Sequence, residues 1–198
     1  HIAFILRYLV LLILISAGSV PFASAFHLVG GELTYECQTN DNYLVKLKIF
    51  RDCYCTNCAD FDNPAYVFVY DDAGNMVSQL SIPFPGSVQL PVYVNNPCLA
   101  LPPDVCVEEA VYTALINLPP ISGGYHMVHQ RCCRNSTILN ISAPNTFGAT
   151  YYAHVPDPAI GLCSSSPYFN NFPPIALCVA DTLSFDHSAT DIDGDSLV

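Results

Sequence analysis

The sequence predicts an all-β chain folded as a disulfide-stapled sandwich, and three observations carry that expectation. Apolar residues recur with a period of two, and no stretch shows the three-to-four spacing of a helix face. The 12 tyrosines and 11 phenylalanines, with many valines, are residue types that suit a pleated, half-buried surface. They fall in short runs divided by Pro, Gly, Asn and Asp. Ten cysteines downstream of an export-like leader describe a disulfide framework.

The leader comes first. Arg7 precedes the apolar run Tyr8 to Ile15, and small residues then lead to Ala23, Ser24 and Ala25. A positive start, a short apolar stretch and an A-x-A site make a secretory signal peptide over residues 1–25. The run is too short for a good membrane span, so no membrane insertion is expected after cleavage, and Phe26 becomes the first mature residue. Residues 26–155 then form the sandwich. Leu33, Tyr35 and Cys37 alternate with Thr34 and Glu36, and Tyr43, Val45, Leu47 and Ile49 alternate with Lys46 and Lys48. The turn chemistry of residues 38–42 makes these one hairpin with a dry face and a wet face. Tyr66–Tyr70 and Met76–Ile82, joined through Asp71–Asn75, make a second hairpin. Val88–Val94 carries Pro91, which assigns it to an edge. Val111–Leu118 and Tyr125–Arg131 read as a third pair across a Pro-Pro and Gly-Gly turn, and Thr150–Val155 closes the module. Seven or eight such strands fit an immunoglobulin-like β-sandwich. Residues 156–174 have the Pro, Ser and Asn texture of a linker. Ile175–Val179 and Thr182–Phe185 then open a second β-sandwich module, truncated at residue 198, which makes the chain a fragment of a longer modular protein.

Seventeen acidic against six basic residues give a net charge of −11. A surface so poor in Lys and Arg cannot neutralise phosphates, which excludes nucleic acid and disfavours anionic membranes. Divalent cations are the natural counter-charge.

The cysteines are Cys37, Cys53, Cys55, Cys58, Cys98, Cys106, Cys132, Cys133, Cys163 and Cys178. The C-x-C-x-x-C spacing of Cys53, Cys55 and Cys58 suggests zinc, with Cys132, Cys133 and His126 or His129 as further ligands. Export and acidic surroundings favour disulfides instead, so all ten are expected to be oxidised and structural. Cys98 with Cys106 is the pairing expected from the short proline-rich loop they would close. Cys132 and Cys133 follow a strand, where adjacent side chains point to opposite faces, so each is expected to find a different partner. His126 and His129 stand three apart and should lie on opposite faces of their strand. No nucleophile elbow, zinc-protease helix or phosphate loop is present, and the chain is read as non-enzymatic.

Near the end, Asp191, Asp193 and Asp195 place carboxylates at alternate positions around Gly194. Hard oxygen ligands on a tight loop are what calcium takes, and the three aspartates are the candidate metal ligands. Three carboxylates fall short of the usual 6–8 oxygens, so backbone, water or residues of the next module must complete the site.

These segments also carry resemblances. Residues 165–198, with Pro167, Tyr168 and Phe169 ahead of the acidic loop, resemble a cadherin-like repeat, which implies a structural calcium between modules. HLVGGELTYEC (His27 to Cys37), FRDC (Phe50 to Cys53), NLPPISGGYHMVHQRCCRN (Asn117 to Asn135) and FNNFPPIALC (Phe169 to Cys178) together resemble the N-terminal region of large exported Bacteroidetes surface proteins. QRCCRN and FDHSATDIDGDSL are the most distinctive parts. Such proteins continue into immunoglobulin-like or cadherin-like repeats and often end in a gliding-motility-associated type IX secretion sorting domain. The resemblance implies secretion or display on the outer cell surface and an adhesive role. The expected function is therefore a non-enzymatic, adhesin-like module that contacts an extracellular polysaccharide or a surface protein, alongside downstream repeats of the same chain. The alternative is an accessory domain of a secreted carbohydrate-active or proteolytic enzyme whose catalytic domain lies downstream.

Overall fold

The computed structural model describes residues 27–54, 59–92, 100, 104–161, 163–175, 177 and 182–197. The expected signal peptide, and Cys55, Cys58, Cys98 and Cys178, lie outside the described residues.

Two antiparallel four-stranded sheets pack face to face as a β-sandwich. The first sheet has the order β1 (Leu28–Cys37), β2 (Asn42–Asp52), β6 (Val107–Asn117), β5 (Val88–Gln89). The second has the order β4 (Met76–Ile82), β3 (Ala65–Asp71), β7 (Tyr125–Arg131), β8 (Ala149–Val155). The two expected hairpins form. Asn40 and Asp41 take the left-handed backbone at φ 60° and 58° in the first turn, and the Asp71 carboxylate accepts the Asn75 N–H at 2.8 Å in the second. β5 is an edge strand, but of the expected Val88–Val94 only Val88 and Gln89 pair as strand, while Leu90, Pro91 and Val92 do not and residues 93 and 94 lie outside the described residues; Pro91 has no N–H with which to continue the ladder.

Alternation puts one side chain in two into the core. β2 buries Tyr43, Val45, Leu47 and Ile49, and these meet Val67, Val69, Met127, Tyr151 and Val155 of the second sheet. Val45, Leu47, Val67, Val69 and Met127 have no solvent exposure, and full burial of such a side chain contributes about 1.5–3 kcal/mol. Buried tyrosines finish the seams with hydroxyl bonds to backbone. Tyr35 donates to the His154 carbonyl at 2.6 Å and so joins the edge strands β1 and β8. Tyr112 donates to Asp62 at 2.8 Å, and Tyr125 to Pro119 at 2.6 Å.

Four expectations are corrected. β6 and β7 do not pair with each other: β6 runs beside β2 from Asn42↔Asn117 to Asp52↔Val107, while β7 lies between β3 and β8 in the other sheet. Alternation fixes which face of a strand is dry but not which strand lies beside it. The connection through Pro119 and Pro120 is long enough to cross between sheets. It ends on Gly123 and Gly124 at φ 80° and 70°, and a Cβ on Gly124 would stand 2.0 Å from the Val155 carbonyl oxygen. Cys106 bonds to Cys53, not Cys98; Cys53 directly follows β2 and Cys106 directly precedes β6, so the Asp52↔Val107 register brings the two together. Cys132 and Cys133 bond to each other. β7 ends at Arg131, so strand alternation no longer separates their side chains, and the peptide between them is cis. Thr182–Phe185 is not a strand.

The third described disulfide, Cys37–Cys163, pins the chain after β8 back onto β1. There the Ser166 N–H donates to the Tyr35 carbonyl at 2.8 Å. The Ser166 and Ser165 hydroxyls accept from the Tyr35 and Cys37 N–H groups, each at 3.1 Å. The Tyr35–Cys37 end of the free edge of β1 is thus covered, which shortens a template for edge-to-edge association. Beyond it, β9 (Tyr168–Phe169) pairs with β10 (Ala189–Thr190), tying the segment read as linker to the segment read as second module.

Candidate ligand-binding face

The two outward faces of the sandwich differ in kind. On the first sheet several outward positions are charged and paired, among others such as Phe50 and Leu115 that are apolar. Lys48 bridges Glu32 at 2.5 Å and Glu109 at 3.8 Å, and Lys46 pairs with Glu36. At the end of β2, Arg51 bonds Glu108 at 2.6 Å and Asp60 at 2.9 Å. Phe172 of the tail leans over this face, edge-on to Phe50 at 5.9 Å and with the Lys48 ammonium 5.0 Å from its ring centre.

The second sheet turns outward no Asp, Glu, Lys or Arg from the regular positions of its four strands. Its register lays side chains in rows across the strands. One row runs Met76, Tyr70, His126, His154, and the next runs Gln79, Phe68, Val128, Tyr152. Ser81 stands beside Tyr66, and Gln130 beside Thr150. At strand spacings of about 4.8 Å, a row of four spans about 14 Å. The rings are ordered by their neighbours. Tyr66 and Phe68 stack at 6.5 Å, His126 stacks on His154 at 4.7 Å and on Tyr152 at 5.8 Å. Tyr66 and Tyr152 remain 41% and 54% exposed.

Polar contacts hold the end of this face. His126 Nδ1 shares a 2.6 Å hydrogen bond with the Tyr152 hydroxyl, and its Nε2 lies 3.5 Å from the Asp72 carboxylate just beyond β3. The tautomer protonated on Nε2 satisfies both, leaving Nδ1 to accept from the tyrosine. His154 Nε2 lies 3.2 Å from the Gly123 carbonyl. The Gly123 N–H donates to Asp157 at 2.6 Å, and this bond is the first cause that holds the Asp157 carboxyl below its ordinary pKa. His129, three residues from His126, points the other way, as expected. It is 2% exposed, its Nδ1 lies 2.7 Å from the Tyr66 carbonyl, and burial lowers its pKa.

The expected calcium ligands lie elsewhere, beyond β10, and their carboxylates diverge. Asp191 Oδ1 accepts the N–H groups of Asp193 and Asp195 at 2.8 and 3.4 Å. Asp193 instead turns to the sandwich, accepting the Ser165 N–H at 2.5 Å and its hydroxyl at 3.3 Å. Among the described residues no three His, Cys, Asp or Glu side chains converge as a metal site, and the loop as folded does not assemble the 6–8 oxygens calcium takes. The zinc alternative loses Cys53, Cys132 and Cys133 to disulfides. The six cysteines paired in the described residues mark an oxidising compartment, and among those residues no helix is long and apolar enough to cross a membrane.

A cavity lined by His27, Leu28, Ile49, Arg51, Ala59, Arg131, Cys132 and Cys133 has a volume of about 10 Å³. That is on the order of one water and far below the roughly 300–1,000 Å³ of small-molecule sites. The meeting of His126 with His154 was the element that sequence reasoning missed. Alternation puts each of the two on the outward face of its strand, and the pairing of β7 with β8 brings them together.

Comparison with protein families, with curated proteins and with solved structures finds no match to this chain.

Proposed function

We propose that this chain is a non-enzymatic, adhesin-like binding module of a secreted or cell-surface protein, and that the outward face of its second sheet is the binding surface. One observation carries the reading. An uncharged, aromatic face about 14 Å across lies on a chain whose net charge is −11, while the opposite face is salt-bridged and partly covered by its own tail. Exposed apolar rings rimmed by polar residues are a kind of surface that marks interaction sites. Rings with polar edges are the residue types that anchor such contacts.

The resemblance to the N-terminal regions of exported Bacteroidetes surface proteins supports the same reading. So do the disulfides, which need an oxidising compartment. In that setting the sandwich would be the first module of an array, and downstream repeats of the same chain would be its neighbours. Calcium enters the reading only with those repeats, since Asp191, Asp193 and Asp195 need ligands from other residues.

The test is an overlay of the exported, labelled chain on an array that carries both glycans and surface proteins. The expected result is selective binding that the double substitution Tyr66→Ala, Tyr152→Ala weakens at least tenfold, while Leu115→Ala on the opposite face leaves it intact. Binding that ignores the tyrosines, or none at all, would overturn the reading.

A further inference from the structure

We infer that the ligand of this face is an uncharged polysaccharide chain. The inference rests on the reading above and adds the chemistry of the ligand. Three features of the face select it.

The first is charge. A protein carrying −11 repels polyanions at long range. A cationic partner would seek the carboxylates, which lie on the other sheet and in the loops. The outward positions of β3, β4, β7 and β8 hold no Asp, Glu, Lys or Arg, and the Asp72 carboxylate beside His126 lies beyond β3 at one end, so an uncharged ligand seated on the rows away from that end desolvates no carboxylate on contact.

The second is the mixture within each row. Tyr70 and His126 share a row with His154, Phe68 and Tyr152 share one with Gln79, and Tyr66 stands beside Ser81. A pyranose ring has the same mixture, with C–H bonds on its faces and hydroxyls around its edge. The negative face of an aromatic ring attracts the polarised C–H groups. Amide, hydroxyl and imidazole groups beside that ring reach the sugar hydroxyls.

The third is shape. The rows lie across the outer face of four paired strands. A plane of this kind gives a lone monosaccharide few contacts. A polymer lying across the rows meets several rings at once.

Native affinity gels cast with a neutral β-glucan, a neutral α-glucan or anionic alginate test this on the full exported chain. Retardation is expected in at least one neutral gel and not in alginate. Tyr66→Ala with Tyr152→Ala should weaken it at least tenfold. Tyr152→Phe, which keeps the ring and loses the hydroxyl bonded to His126, should weaken it less. Far-ultraviolet circular dichroism and a free-thiol count establish that each variant is folded.

Retardation by alginate alone, or retardation in neutral gels that survives removal of both rings, would overturn the inference. Sedimentation velocity and the protein half of the array cover the other occupants. Self-association or protein capture lost with the same tyrosines, and no retardation by either glucan, would refute the glycan and leave the binding-face reading standing. Absence of every kind of binding would refute both.

Discussion

At the scale of single residues, His129 ties stability to pH. Its ring is buried between the sheets, and burial is the first cause that lowers its pKa below the ordinary 6.5, against the opposing pull of the Tyr66 carbonyl and Asp62. The folded protein therefore favours the neutral ring, while the unfolded chain takes up a proton near 6.5. Above that value the contribution is complete. It is lost as the pH falls from about 6.5 to the depressed value, because there the unfolded state binds more protons. Melting temperatures at pH 7.5 and 5.0 should differ, and His129→Gln should flatten that slope; an unchanged slope would assign the acid sensitivity to another group. Gly31 offers a second check. A Cβ there would stand 2.5 Å from the Lys48 carbonyl oxygen and 2.9 Å from the Tyr151 ring. Gly31→Ala is expected to cost about 1–3 kcal/mol through overpacking, measured by urea unfolding.

At the scale of elements, the acidic loop acts as a clasp. Asp193 accepts two hydrogen bonds from Ser165, and Asp191 shapes the turn that presents it. Because Ser165 and Ser166 also bond to the edge of β1, the clasp ties the tail to the strand that needs cover. A charged hydrogen bond of this kind contributes about 1.5–3 kcal/mol, and Asp193→Ala should release the tail. Hydrogen exchange at the Ser165 and Ser166 amides should then accelerate, while exchange in β2 and β6 stays slow. Calcium added to the chain as it stands should leave its melting temperature unchanged at micromolar concentration. A marked rise would show that the carboxylates can leave their present partners and gather round an ion.

At the scale of the whole molecule, Cys37–Cys163 joins residues 126 apart in sequence. In the chain-entropy account, closing a loop of about 100 residues restricts the unfolded state by about 4.7 kcal/mol. Replacing both cysteines by Ala should lower the unfolding midpoint more than removing Cys132 and Cys133, which close no loop between elements. Equal losses in denaturant titrations of the two variants would contradict that ranking. The sandwich shields its apolar interior with one charged outer face and leaves the other uncharged.

Period-two patterning determined the strand class, both hairpins and the buried set Tyr43, Val45, Leu47 and Ile49, because alternation is written locally in the chain. The cysteines likewise announced disulfides, and the opposite orientations of His126 and His129 followed from their spacing. Partner choice was not legible. Whether β6 lay beside β7 or β2, whether Cys106 met Cys98 or Cys53, and whether His126 faced His154 all depend on register between distant segments, which alternation does not encode. Asp191, Asp193 and Asp195 are a candidate cation site because three carboxylates stand close in sequence. Tertiary structure decided where they pointed, and a buried backbone N–H of Ser165 took one of them, since a donor left without an acceptor costs more than a carboxylate redirected.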